Sequence, residues 1–188
     1  MIGVVLAGGR GERLGQPKAD LILDGRTLTQ RSAETLWPRC QDVLVSVQAG
    51  QEVAATFTTV PDEGPAGCGP LAGIAACFDV SGQSDLLVLA CDYPRVDGAF
   101  LDRLLEQARP DASVVFPTDQ KGRDHPLVAI WRRDAAAIVQ AAVDETRYKV
   151  RSILRELEVQ RIAISTLQPQ RDDILLNVNH PQDWQQVT

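Results

Sequence analysis

The apolar positions of this chain fall into short continuous runs, separated by segments of helical length with spaced apolar residues. Ile2–Leu6 is such a run, the pattern of a strand buried on both faces in a parallel sheet. Asp42–Val47 and Asp85–Ala90 repeat it, and Asp85–Ala90, the most apolar of all, is expected at the centre of the sheet. Thr56–Val60 reads as a further strand that Pro61 ends. Ala112–Phe116, Leu127–Trp131 and Val159–Ile164 complete the set. Thr27–Trp37 carries apolar residues at Leu28, Ala33, Leu36 and Trp37, a helix that stops before Pro38. Leu71–Phe78, Gly98–Ala108 (with Asp97 as its N-cap), Asp134–Val143, Val150–Leu157 and His180–Val187 are the other helices. Asp24-Gly25 marks a turn, Asp62–Pro70 a Gly- and Pro-rich loop, and Thr118–Asp124 a polar excursion between strands. Strands alternating with helices predict one α/β domain over residues 1–188: three layers, α/β/α, around a mostly parallel, Rossmann-like sheet.

Composition narrows the class. A chain of 188 residues, 44% of them hydrophobic, supports one well-buried core. The net charge of -6, without a Lys/Arg block, argues against nucleic acid and anionic membrane as partners. The N-terminal run lacks a basic flank, and no window reaches the roughly 20 apolar residues of a membrane span. Cys40, Cys68, Cys77 and Cys91 show no C-x-x-C spacing and read as reduced thiols, so a cytoplasmic location is expected.

Against this acidic background Leu6–Lys18 stands out. Four glycines (Gly8, Gly9, Gly11, Gly15) let backbone N–H groups approach a ligand, and three cations (Arg10, Arg13, Lys18) share the segment with one anion, Glu12. A polyanion such as a triphosphate needs that combination; a surface turn is the plainer reading. No Gly-Lys-Ser/Thr occurs, so this is not a P-loop. Gly9-x-Gly11 is followed by Gly15 one position late for the dinucleotide fingerprint, and Pro17 disfavours an immediate helix. Asp92, at the carboxyl end of the central strand, is suited to Mg²⁺, which takes oxygen donors and often one or two carboxylates plus phosphate; it could equally cap a turn ahead of Pro94.

The segment Leu6-Ala7-Gly8-Gly9-x-Gly11-x-Arg13-Leu14-Gly15-x-Pro17-Lys18 resembles the signature loop of nucleotidyltransferases. Joined to Gly69-Pro70-Leu71-Ala72-Gly73, Cys91-Asp92-Tyr93-Pro94, Asp124-His125-Pro126 and Asn177-Val178-Asn179-His180-Pro181, it is similar to molybdenum cofactor guanylyltransferases, over nearly the whole chain. The resemblance implies a fold of the nucleotide-diphospho-sugar transferase type. It implies GMP transfer from GTP to the terminal phosphate of molybdopterin, with Mg²⁺ as cofactor. It makes Arg13, Lys18 and Asp92 catalytic, with Asp92 the metal ligand. Leu6, Ala7, Gly8, Gly9, Arg13, Lys18, Ser46, Asp62, Gly69, Pro70, Leu71 and Asp92 would line the nucleotide. Ser46 stands where the family often has Asn, and His180 where it has Thr.

On the acceptor side the resemblance offers Asp124, His125, Arg147, Lys149, Asn177 and Asn179. The residues alone leave alternatives open. A His in a polar loop is commonly a surface residue, Arg147 and Lys149 suit a solvated helix start as well as a phosphate, and Asn177 and Asn179 suit either a pterin pocket or a helix cap. The attacking phosphate is already an anion, so no protein nucleophile is expected. A transient contact with a molybdenum-inserting protein or an apo-molybdoenzyme is implied by resemblance alone. Two other readings compete: another nucleotidyl transfer (cytidylyl transfer to the same pterin, or nucleotide-sugar synthesis), and a nucleotide-binding module without turnover. The presence of Arg13, Lys18 and Asp92 together speaks against the last.

Overall fold

The computed structural model describes residues 1–8, 17–51, 53, 56–62, 68–168, 171 and 173–187. In chain order the strands are β1 (Ile2–Leu6), β2 (Ile22–Leu23), β3 (Arg26–Thr27), β4 (Val43–Gln48), β5 (Thr58–Asp62), β6 (Leu86–Ala90), β7 (Val114–Thr118), β8 (Val128–Trp131) and β9 (Val159–Ala163). The helices are α1 (Leu28–Leu36), α2 (Pro70–Val80), α3 (Gly98–Gln107), α4 (Ala136–Asp144), α5 (Val150–Ile153), α6 (Ile164–Leu167) and α7 (Pro181–Val187).

Seven strands form one sheet in the order β5-β4-β1-β6-β8-β7-β9, and β2 and β3 form a separate ribbon. The mostly parallel α/β sheet expected from the sequence is present, with β8 antiparallel to both its neighbours. The central position of β6 is also as read: all five of its residues are buried. A strand covered on both faces has no solvated side to alternate toward, hence the unbroken apolar runs of β1, β4 and β6.

Helices α2 and α4 pack together on one face, while α1 lies against β1, β4 and β6, and α3 against β7 and α6. Arg39, just past α1, reaches Asp102 on α3 at 2.6 Å, so these two helices share the other face. α1 starts with a reciprocal cap: Gln30 N–H donates to Thr27 Oγ1 at 3.1 Å, and Thr27 N–H to Gln30 Oε1 at 3.0 Å. Asp97 caps α3 as read, accepting Phe100 N–H at 2.9 Å.

Two boundaries differ from the sequence reading. Pro61 lies inside β5, opposite Val47, and does not end it. β5 is an edge strand, where proline's missing N–H costs no ladder bond. The helix read over Val150–Leu157 shrinks to the single turn of α5.

The strand order carries the functional geometry. From β1 the chain moves outward to β4 and β5, then α2 returns it across β1 to β6 on the opposite side. The carboxyl ends of β1 and β6 therefore flank the point where the winding reverses, the crevice where open α/β sheets hold ligands. Among the described residues no helix is long and apolar enough to cross a membrane.

Candidate active site

The end of β1 is tied to both neighbours. Ala7 N–H donates to the Ser46 carbonyl at 2.9 Å, and Cys91 N–H to the Leu6 carbonyl at 3.1 Å. Leu6 and Ala7 are buried and Gly8 is exposed, so the backbone emerges at the crevice. Gly9 and Arg13 lie outside the described residues. The chain is described again from Pro17, where Lys18–Asp20 makes one 3-10 turn. Thr29 Oγ1 on α1 holds that turn by donating to the Ala19 carbonyl at 3.0 Å. Lys18 is thereby aimed at the end of β6: its Nζ lies 3.3 Å from Asp92 Oδ2 and 2.5 Å from Asn179 Oδ1.

Asp92 is the chemical centre of this arrangement. Burial pushes its carboxyl pKa up, and the Lys18 ammonium opposes that shift. One oxygen meets Lys18, whereas the other, Oδ1, is buried without a hydrogen-bond partner. A buried carboxylate oxygen with nothing to accept from is costly, unless it serves a cation. Among the described residues no group of three or more His, Cys, Asp or Glu could hold a metal ion. A carboxylate oxygen left open in this way suits a hard divalent cation, which takes oxygen donors. Adjacent Cys91 is buried, which pushes its thiol up to about 12 and leaves it an unreactive packing group.

A second wall faces Gly8. Asp62, ending β5, is 7% exposed. Burial raises its pKa, and a hydrogen bond from the Ala49 backbone opposes the rise. A Cβ on Gly8 would sit 3.8 Å from Asp62 Oδ2 and 3.5 Å from Gln48 Cγ, so Gly8, Gln48 and Asp62 are brought together. Gln48 was not singled out from sequence. Neither was Gln51, whose Nε2 donates to the Ala7 carbonyl at 3.3 Å. A polar residue closing the run of β4 is the signal that marks Gln48.

Gly69 heads α2 with φ +88°, a left-handed conformation that glycine adopts without strain, and Pro70 follows in the first turn. Leu71 is fully buried, and its side chain packs into the core. The side chain of Ser46 is likewise not brought to the crevice. It is 3% exposed and lies beneath Gly73 of α2, where a Cβ would fall 2.2 Å from Ser46 Oγ. Ser46 serves the close approach of α2 to the sheet.

The acceptor-side residues separate into groups. Asn179 joins the centre through Lys18. Its N–H and that of His180 both reach Asp183 Oδ2, at 2.9 and 2.8 Å, so Asp183 caps this end of α7. Asn177 is half-buried beside Val178, whose N–H donates to the Asp92 carbonyl at 2.7 Å. His125 is buried, contrary to the surface alternative, and faces Tyr93. Asp124 is occupied by Arg161 at 3.1 Å. Arg147 pairs with Glu145 at 2.7 Å and Glu156 at 2.6 Å, which neutralises its charge. Arg147 and exposed Lys149 flank Tyr148, whose carbonyl would be 3.9 Å from a Cβ on Gly69, so this pair borders the start of α2.

Comparison with known proteins agrees with this geometry. The family model described as MobA-like NTP transferase domain matches residues 3–162. The chain is 34% identical over 190 residues to the probable molybdenum cofactor guanylyltransferase of Mycobacterium marinum, covering 97% of this chain and 90% of that protein. It is 31% identical to the molybdenum cofactor guanylyltransferase of Rhizobium johnstonii, covering 96% of this chain and 88% of that one. Among solved structures, molybdopterin-guanine dinucleotide biosynthesis protein A from Archaeoglobus fulgidus superposes with a TM-score of 0.81 at 22% identity, covering 100% of this chain and 96% of that one. On both sequence and fold this chain belongs to the MobA-like NTP transferase family.

Proposed function

We propose that residues 1–188 form one nucleotidyltransferase domain that transfers GMP from GTP to the terminal phosphate of molybdopterin in the cytoplasm. The observation that carries the reading is the placement of Lys18 between Asp92 and Asn179, at the reversal point of the sheet. A cation set against a carboxylate with one unpartnered oxygen, and beside the Asn179 carboxamide, supports a triphosphate meeting a second substrate there. Guanylyl transfer and the molybdenum cofactor are taken from the names of the relatives, and molybdopterin from that of the Archaeoglobus fulgidus structure.

An oxygen of the acceptor's terminal phosphate attacks the α-phosphorus of GTP. The bond from that phosphorus to the α,β-bridging oxygen breaks, and pyrophosphate leaves with the electron pair. The attacking oxygen is already anionic, so no side chain has to remove a proton. Gly8 and Gly9 present backbone N–H groups to the phosphates, with Arg13 as a further cation. Lys18 moves from Asp92 to the charge that develops on the departing pyrophosphate. Asp62 offers a carboxylate oxygen to donors on the nucleotide, and Asn177 and Asn179 hold the acceptor. Asp92 Oδ1 would bind Mg²⁺, which when present supplies positive charge to the phosphate oxygens.

The test supplies purified protein with Mg²⁺, molybdopterin and each of GTP, CTP, ATP and UTP in turn, and measures dinucleotide and pyrophosphate. Turnover with GTP above the others is expected. A strong preference for CTP overturns the guanine assignment. Nucleotide binding with no pyrophosphate release overturns the enzymatic reading.

A further inference from the structure

The last link between β1 and β4 is made by a side chain. Ala7 N–H donates to the Ser46 carbonyl at 2.9 Å, as a parallel ladder requires after the pairing of Leu6 with Ser46. The next rung of such a ladder would run from Gln48 N–H to the Ala7 carbonyl. Both groups turn instead to Gln51. Gln48 N–H donates to Gln51 Oε1 at 3.3 Å, and Gln51 Nε2 donates to the Ala7 carbonyl at 3.3 Å. A carboxamide offers a donor and an acceptor at once, so this one is inserted between the two strand ends. A turn brings it there. Gln51 N–H donates to the Gln48 carbonyl at 2.9 Å, and Gly50 takes φ +78° at the third of the four residues enclosed. That is the left-handed position of a type II turn, which glycine fills without strain. The half-buried Gln51 side chain is thereby folded back over the strand it follows.

Peptide geometry carries this contact outward. The peptide bond between Ala7 and Gly8 is trans, so its carbonyl and its N–H point in opposite directions. The Ala7 carbonyl is held on the β4 side, and the Gly8 N–H therefore faces the β6 side. The same alternation is visible one peptide earlier: the Leu6 carbonyl accepts Cys91 N–H at 3.1 Å on the β6 side, while Ala7 N–H faces β4. Gly8 is exposed, and the β6 side is where Lys18 meets Asp92. Glycine leaves its own dihedrals free. Without a restraint on the Ala7 carbonyl this peptide can turn over and show its oxygen to the crevice, where it would repel a phosphate.

We infer that Gln51 is a positioning residue for the nucleotide: its carboxamide takes the place of the last rung between β1 and β4, pins the Ala7 carbonyl, and so turns the Gly8 N–H toward the triphosphate in the crevice between β1 and β6. This rests on the reading that a nucleoside triphosphate occupies that crevice. Gln51 acts through the peptide between Ala7 and Gly8, not on the nucleotide itself.

Three measurements on the full chain test it. Titration calorimetry with Mg²⁺ and a GTP analogue whose α,β-bridging oxygen is replaced by methylene gives nucleotide affinity without turnover. Gln51→Met keeps the length of the side chain and removes its donor and acceptor. It raises the Kd about tenfold, the usual worth of a hydrogen bond to a charged group. In turnover with GTP, its KM for molybdopterin changes less than about twofold. A Kd within about twofold of wild type, or equal losses for both substrates, overturns the inference. The second measurement compares the Ala7 carbonyl ¹³C resonance of wild type and Gln51→Met without nucleotide. An upfield shift in the variant is expected as the bond is lost; an unchanged resonance overturns the inference. The third needs no variant: the Gly8 amide ¹H–¹⁵N resonance of the wild type moves downfield on adding the analogue, and a resonance that stays in place overturns the inference. If the analogue binds and Gly8 responds, yet GTP and molybdopterin yield no pyrophosphate, the transfer reading fails and the inference stands. Pyrophosphate release with an unresponsive Gly8 amide has the opposite meaning.

Discussion

Lys18 Nζ and Asp92 Oδ2 are 3.3 Å apart, an ion pair that joins the loop after β1 to the turn after β6 across the reversal point of the sheet. Both side chains keep about a fifth of their surface open, at 19% and 18%. On the proposed reading an incoming triphosphate separates the pair, with Lys18 going to phosphate and Asp92 to metal.

Removing either partner costs rate far more than stability. Asp92→Asn takes away a charge whose burial is unfavourable and whose Oδ1 has no partner, so the fold is retained. Turnover falls by about 10²–10³, the usual cost of one charged group in such a site. Lys18→Met loses rate to a similar extent. Pyrophosphate release and thermal melts of both variants check this; a large loss of melting temperature with normal specific activity contradicts it.

Chelation gives a complementary result. With EDTA in excess, pyrophosphate release by the wild type stops, and added Mg²⁺ restores it. Asp92→Asn does not regain activity at any Mg²⁺ concentration. Full activity under EDTA, or rescue of Asp92→Asn by Mg²⁺ alone, removes Asp92 from the metal site.

Gly73→Ala is destabilising by about 1–3 kcal/mol, because the new Cβ would meet Ser46 Oγ at 2.2 Å across the interface of α2 with the sheet. Ser46→Ala in the same chain removes the closest atom and recovers part of the loss, leaving Ser46 Cβ at 3.2 Å. Denaturant unfolding of the two single variants and the double variant measures this coupling. Ser46→Ala alone leaves the KM for GTP within about twofold of wild type, since its hydroxyl lies beneath α2.

Stability falls as the solution becomes acidic, in part through His125. Burial holds its pKa below the ordinary value of 6.5. Below that pH the unfolded chain takes up a proton that the folded chain refuses, so this residue draws the equilibrium toward unfolding. Its share of the slope is at most about 1.4 kcal/mol per pH unit and vanishes above neutrality. His125→Asn flattens the stability profile between about pH 5 and 7. Denaturant midpoints across that range provide the check, and an unchanged profile contradicts the assignment.

What could be read from sequence follows from what each residue type must satisfy. Ile2–Leu6 and Leu86–Ala90 had to be covered on both faces, which fixed the parallel core and located the ends that carry Gly8 and Asp92. The hairpin orientation of β8 was not visible, since a buried strand reads alike in either direction. Pro61 misled because its effect depends on whether the strand is at an edge. Ser46 and Gln48 share one strand parity, so only the position of α2 shows that the first lies beneath a helix and the second faces Gly8. The pairing of His125 with Tyr93, 32 residues away, follows from no local pattern. Asp124 and Arg147, though in motifs, spend their charges on Arg161 and on two glutamates.

The bond from Val178 N–H to the Asp92 carbonyl joins residues almost half the chain apart. The strands that hold the triphosphate are complete once β6 has been made, whereas the carboxamides meant for the second substrate come from the last dozen residues. Those residues lie past position 162, where the match to the family model ends. On the proposed reading, the residues assigned to the nucleotide and those assigned to the acceptor are therefore made at opposite ends of synthesis. On that reading a chain cut before Ile174 keeps Lys18 and Asp92 and loses Asn177 and Asn179, the carboxamides assigned to the acceptor.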